Sequence, residues 1–255
     1  MMHILHQTIL WLDWIASLAW LLQVVSALYL VKRVPDLTKA ETTIPALPLP
    51  RLSVIVPARN EADSIARTLE SLLDSRGVTL EIIAVDDRSE DETGAIMDRM
   101  AKIAAGRGRG PAGGSTELRV LHIASLPPGW LGKTHAMAQA SCIASGEWLL
   151  FTDGDVLFHP DALRRALQFA TANEADHFVL LPTVILRSWG ESMMVAFLTV
   201  MAVWAMRPWR VATGKRDAIG VGAFNLIRRD VYDALGGWEA LRRSEERRVG
   251  KECLE

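Results

Sequence analysis

The chain has 255 residues, half of them hydrophobic, and a formal net charge of −2. That length carries one α/β domain of ordinary size plus an anchor and leaves no room for a second large domain. Its basic residues are scattered, so the sustained positive field that nucleic-acid binding needs is missing. The two cysteines, Cys142 and Cys253, lie far apart with no CxxC or Cys/His cluster, which excludes a disulfide framework and a structural zinc site and is compatible with a reducing compartment.

In chain order, the first element is the apolar run from Ile9 to Val31, long enough at about 1.5 Å per residue to cross a ~30 Å hydrocarbon layer. Asp13 near its start can stay at the headgroups, and Gln23 can find a partner in another helix. MMHILHQ has no Lys or Arg, so the run reads as a retained anchor and not as a cleaved signal. Lys32 and Arg33 follow at once, and the positive-inside tendency puts everything after them in the cytoplasm. Residues 1–33 thus form an anchor, the repeated prolines of 34–50 a linker, 51–241 a folded domain and 242–255 a charged tail.

Leu52–Val56 is a short run rich in β-branched residues, and Ile65, Leu69, Leu72 and Leu73 follow at helical spacing. The unit repeats as LEIIAV from Leu80, with Ile96, Met100 and Ile103 as the apolar side of its helix. LRVLHI from Leu118 and EWLLFT from Glu147 supply two more strands with a helical stretch between them, on which Cys142 reads as a small buried residue. Alternating strands and helices predict an α/β domain with a mostly parallel sheet covered by helices on both faces. The glycines of Gly106–Ser115 precede a strand instead of following one, so they read as a surface loop and not as a dinucleotide turn. Ser192–Met206 is apolar all round but short for a span; it reads as an interfacial or buried helix, with Trp204, Trp209 and Arg210 suited to a membrane surface.

Ligands of open parallel sheets bind beyond the carboxyl ends of the strands. Each such place here is polar: Pro57, Ala58, Arg59, Asn60 and Glu61 after the first strand, Asp86 and Asp87 after the second, Asp153, Gly154 and Asp155 after the fourth. One such cluster alone reads as a turn or helix cap, and Asp91 or Asp63 is expected to be one. The Asp153/Asp155 pair suits a hard cation that keeps free positions for phosphate oxygens and water. Gly132, Lys133 and Thr134 spell the end of a P-loop, but Pro127 stands where that motif requires its first glycine. Lys133 at the head of a helix can still meet a phosphate; His135 either points to the same place or is an ordinary helix histidine.

SVIVPARNEADSI (Ser53–Ile65), VDDRSEDET (Val85–Thr93), GWLGKTHAM (Gly129–Met137) and TDGDV (Thr152–Val156) occur in the order and spacing of family 2 glycosyltransferases, and the chain to about Leu241 resembles that family. PPGWLGK with GAFNLIRRDVYDALGGWE looks like the hopene-associated subgroup of bacterial hopanoid biosynthesis. The resemblance implies a GT-A fold and transfer of a sugar from a nucleotide-diphosphate donor, UDP-sugar by expectation, to a lipid acceptor. It places the chain in a bacterial inner membrane with the catalytic domain cytoplasmic. By match to the motifs, Pro57, Arg59 and Glu61 line the nucleoside pocket. Asp87, with Asp86 as a second candidate, holds the uracil edge. Asp153 and Asp155 bind Mg²⁺ or Mn²⁺ with the diphosphate, and Lys133 supports the donor. The family's general base is an acidic residue beyond the GGWE segment; RRSEERRVGKECLE, with Glu245 and Glu246, shows no equivalent, so the base is expected to be absent from this chain. A polyprenyl-phosphate sugar transferase and a non-catalytic nucleotide-sugar-binding membrane protein remain as alternatives.

Overall fold

A computed structural model describes residues 2–32, 34–37, 49–106, 115–211 and 219–240. Most of the Gly106–Ser115 loop and the whole charged tail lie outside the described residues. The chain divides into two compact units, one made of residues 1–40 and 183–219, the other of 41–182 and 220–255.

The second unit is built on four parallel strands: β1 (Leu52–Ala58), β2 (Leu80–Asp87), β3 (Thr116–Ile123) and β4 (Trp148–Phe151). Between them run α2 (Ile65–Leu73), α3 (Thr93–Gly106) and α4 (Gly132–Ile143), with α1 reserved for the N-terminal helix Met2–Val31. After α5 (Ala162–Ala172) come two short strands, β5 (His177–Val179) and β6 (Asn225–Arg228). The sheet order is β3-β2-β1-β4-β6-β5, with β6 antiparallel to β4 and β5 antiparallel to β6.

β1 is central, and all seven of its residues are buried. Two features let a strand with a serine and a proline sit there. Ser53 lies opposite Glu81 in the register, and the Ser53 hydroxyl donates to the buried Glu81 carboxylate while accepting from the Gly146 amide at 2.8 Å. Glu81 also receives the Ser145 amide at 2.8 Å and the Arg119 guanidinium at 3.3 Å, so the buried polar cluster is satisfied. Ile55 accepts from Thr152 on the β4 side, so Pro57, two residues on, turns its N–H-less nitrogen to that side, past the last residue that β4 pairs with β1.

Side-chain alternation sorts the two faces. Ile55, Ile83, Val85, Leu149 and Phe151 pack under Ala136, Met137 and Ala140 of α4, with Tyr232 and Trp238 against them. α3 lies on the opposite face, where Gly94 closes on Asp86. Helices therefore cover both sides, as the strand–helix alternation predicts. Two details differ from the sequence reading. α3 buries Thr93, Gly94, Met97 and Ala104 and leaves Ile103 exposed, because a close approach to the sheet takes the small residues. Cys142 is exposed on the last turn of α4, on the side away from Ala136 and Ala140.

The first unit holds α1, α6 (Trp189–Met206) and the short α7 (Pro208–Val211). Among the described residues, His6–Leu30 and Trp189–Met206 are the two stretches long and apolar enough to cross a membrane. The Trp20 and Phe197 rings stack at 5.5 Å, and the Trp204 indole N–H donates to the Gln23 carbonyl at 3.1 Å. α6 is not the buried helix that was one of its two readings, since Val203 is its only buried residue.

Candidate functional site

The loops after β1 and β2 are sewn together. The Asn60 amide donates to Ser89 Oγ at 3.1 Å, the Glu90 amide returns to Asn60 Oδ1 at 2.8 Å, and the Glu61 amide donates to Thr93 Oγ1 at 2.8 Å. Asp91 caps the start of α3 by accepting from the Thr93 amide and also takes the Ala62 amide. Asn60 and Arg88 both adopt positive φ, 57° and 59°. Asparagine tolerates this; for arginine it is strained, and the strain is compensated by a two-pronged hydrogen bond from its guanidinium to Asp87 at 2.8 and 3.1 Å.

Asp87 is buried on the α4 face of the sheet, directly under the first residue of that helix. A β-carbon on Gly132 would overlap the Asp87 carboxylate and come within 2.7 Å of the Arg88 guanidinium, so only glycine lets the helix head close on this loop. The next residue, Lys133, pairs its ammonium with Asp153. Asp153 follows β4, where the Thr152 hydroxyl fixes the chain to the Ala223 carbonyl at 2.7 Å, and a β-carbon on Gly222 would sit 3.1 Å from the Asp153 carboxylate. Gly154 is buried against the end of β1, with room for a β-carbon only at 3.1 Å from Ala58 and 3.6 Å from Glu61. Its carbonyl accepts the Thr68 hydroxyl at 2.8 Å. Glu61, Gly154, Asp153, Lys133, Gly132 and Asp87 therefore form one continuous rim along the carboxyl edge of the sheet.

Other expected residues take different places. Asp86 alternates to the opposite face, accepting from the Ser89 amide and from His122, both at 3.1 Å. Burial raises its carboxyl, and the hydrogen bonds from Ser89 and His122 outweigh that, holding it below the ordinary carboxylate range. His122 also reaches Asp98 at 3.1 Å, and these two carboxylates, Asp86 before Asp98, raise the imidazole above its usual value. Asp86, the second candidate for the base edge, thus joins β2, β3 and α3 on the face of the sheet opposite Asp87. Pro57 is buried and shapes the strand end without lining a surface. Arg59 is exposed, 4.0 Å from Glu90. His135 is buried on α4 beside Trp130, with ring centroids 5.4 Å apart. The sequence reading missed Gly132, Gly222 and Arg88; the signal for the first was glycine at a helix head, read there only as a P-loop remnant.

Asp153 is half-buried and Asp155 is exposed, with no polar partner among the described residues. No group of three or more His, Cys, Asp or Glu side chains gathers for a metal among the described residues. The Lys133 ammonium already sits on Asp153, which shows that the position accepts positive charge. Oxygen donors of this kind are the type a hard divalent cation takes. A separate open groove of about 780 Å³, lined by Pro50, Trp148 and Arg228 among others, lies at the opposite edge of the sheet; its Arg228 is neutralised by Asp176 and Asp230.

This edge, with strand-end carboxylates around a helix head, agrees with a match of residues 53–236 to the model described as Glycosyl transferase family 2. The chain belongs to glycosyl transferase family 2. Among relatives of this family 2 chain, the succinoglycan biosynthesis protein ExoO of Rhizobium meliloti is 33% identical over 133 residues, half of this chain and 32% of its own length. The 4,4'-diaponeurosporenoate glycosyltransferase of Staphylococcus aureus is 27% identical over 195 residues, 75% of this chain and 48% of its own. The chain thus spans a third to a half of the curated relatives it matches. The solved mannosyltransferase PcManGT of Pyrobaculum calidifontis, in complex with GDP-Man and Mn²⁺, superposes with a TM-score of 0.59 at 22% identity, covering 84% of this chain and 54% of that one. The fold they share is GT-A, with its mostly parallel sheet between helices.

Proposed function

We propose that this family 2 chain transfers a sugar from a nucleotide-diphosphate donor, a UDP-sugar, to a lipid acceptor at a membrane surface. The observation that carries the reading is the unbroken rim from Asp87 through Gly132 and Lys133 to Asp153. In it, Asp87, held rigid by Arg88, accepts from the N–H edge of the base. The amides at the head of α4 face the diphosphate. Asp153 and Asp155 are the residues that would hold Mg²⁺ or Mn²⁺. Lys133 leaves Asp153 for a phosphate oxygen when donor arrives, exchanging one anionic partner for another. The cation would supply neutralisation of charge developing on the leaving nucleoside diphosphate. Arg59 and Glu61 flank the nucleoside end. An acceptor hydroxyl attacks the anomeric carbon as the bond to the diphosphate breaks, the nucleoside diphosphate leaves, and the hydroxyl proton passes to a general base, which in the family is an acidic residue beyond the GGWE segment.

A lipid acceptor is supported by the apolar α1 and by a relative named 4,4'-diaponeurosporenoate glycosyltransferase. The PPGWLGK and GAFNLIRRDVYDALGGWE segments favour a hopanoid-type lipid, and the Lys32 and Arg33 flank favours a bacterial inner membrane with the domain on its cytoplasmic side. Membranes carrying the protein, incubated with labelled UDP-sugars with and without Mn²⁺ and then extracted, test this. An acid-stable neutral glycolipid formed only with metal is expected. An acid-labile polyprenyl-phosphate product, or donor binding with no lipid product, rejects the acceptor assignment.

A further inference from the structure

Helix α6, at 18 residues, is long and apolar enough to cross a membrane, yet the sheet forbids it to cross. The chain leaves the sheet after β5 and returns to it in β6, and those two strands are hydrogen-bonded neighbours with Phe178 opposite Leu226. A single crossing between them would put two paired strands on opposite sides of a bilayer. A second crossing would have to fall in residues 207–224, which carry Arg207, Arg210, Lys215, Arg216 and Asp217, whereas a span needs about 20 predominantly apolar residues.

Nor is α6 a core helix. Trp189 is 88% and Met193 73% exposed, and Met194, Phe197 and Leu198 are open as well, so the helix shows apolar surface on nearly every side. Its ring stack and its indole hydrogen bond to α1 both fall in the C-terminal half of that helix. From His6 to Leu22 every side chain of α1 is exposed, and burial begins only at Gln23 and culminates in Ala27. Trp20 and Gln23 belong to the C-terminal half of α1, and it is there that Phe197 and Trp204 meet it. Arg187 precedes α6 and Arg207 and Arg210 follow it, with Trp189 and Trp204 near its ends, the residue types that favour the boundary between acyl chains and anionic headgroups.

We infer that α6 is a monotopic membrane helix. It lies beside α1 within the leaflet from which the C-terminal end of α1 emerges, sunk among the acyl chains without crossing, and its partner is lipid. The inference rests on the anchor reading of α1 and not on the donor chemistry.

The test uses the full chain in vesicles of phosphatidylglycerol and phosphatidylcholine, in a background with Cys142→Ser and Cys253→Ser. Arg187→Cys and Arg210→Cys, introduced singly, should both react with a membrane-impermeant maleimide from the side on which Asp63→Cys of the domain reacts. Reaction from opposite sides would make α6 a span and overturn the inference. So would reaction of either cysteine only after detergent is added. A fluorophore on Phe197→Cys should lose emission when brominated phosphatidylcholine is included, and Met193→Cys serves as a second site should the first disturb the Trp20 stack. Unchanged emission at both places α6 outside lipid and overturns the inference too. UDP affinity, read on the same preparations, reports separately on the donor site.

Discussion

Gly132→Ala adds one methyl group where the head of α4 meets the loop after β2. The new β-carbon would overlap the Asp87 carboxylate and stand 2.7 Å from the Arg88 guanidinium, neither of which is free to swing because each holds the other through two hydrogen bonds. Two effects on stability oppose each other: glycine to alanine within a helix favours folding by up to about 1 kcal/mol, and overpacking opposes it by about 1–3 kcal/mol. The melting temperature should therefore change little or fall modestly. Donor binding has no such compensation. Displacing Asp87 removes a hydrogen bond to a charged group, about 1.5–3 kcal/mol, or roughly ten- to a hundredfold in UDP affinity. Isothermal titration with UDP and a thermal melt on the same sample separate the two. A variant that melts higher and binds UDP as tightly as the parent would refute the claim that this contact positions a nucleotide ligand.

Gly146→Ala is the matching control: its β-carbon would stand 2.5 Å from the Ser53 backbone nitrogen at the far edge of the sheet, so it should destabilise by about 1–3 kcal/mol and leave UDP affinity unchanged in titration. Glu81→Ala strips the buried partner from Ser53, Ser145 and Arg119 and should cost about 2–4 kcal/mol in denaturant unfolding, again without effect on UDP. The pH dependence of the melt should carry a His122 component. Its folded pKa is raised, so its stabilisation is complete below about 6.5 and is lost as pH rises through the folded value; the ring is half exposed, which keeps the effect below about 1 kcal/mol. His122→Gln should flatten that slope, and an unchanged slope would show that the Asp86–His122–Asp98 contact does not form in solution.

The parallel half of the sheet was legible because β1 to β4 are apolar runs that differ in length and periodicity from the helices between them. β5 and β6 were not, since HFV and NLIR are too short to show a period and gain their strand character only by pairing with each other and with β4. The acidic ends of β2 and β4 stood out in the sequence, but their directions did not. Counting in twos from Ile83 and Val85 sends Asp87 to the α4 face and Asp86 to the other, a distinction that a motif read as a pair conceals. The packing roles of Gly132 and Gly222 escaped notice because what they do is to have no side chain, and that is visible only when the neighbour they admit is in place. The exposure of Cys142 likewise depends on which side of α4 meets the sheet, which the small residues Ala136 and Ala140 decide.

The central claim is that Asp87 and Asp153 serve one ligand at its two ends. Titrating uridine and UDP, each with and without Mn²⁺, into the parent, Asp87→Asn and Asp153→Asn tests it most directly. Asp87→Asn should weaken uridine and UDP alike, whereas Asp153→Asn should leave uridine untouched and abolish only the gain that Mn²⁺ gives to UDP. Uridine and UDP binding that ignores Asp87→Asn, or a Mn²⁺ gain that survives Asp153→Asn, would contradict it.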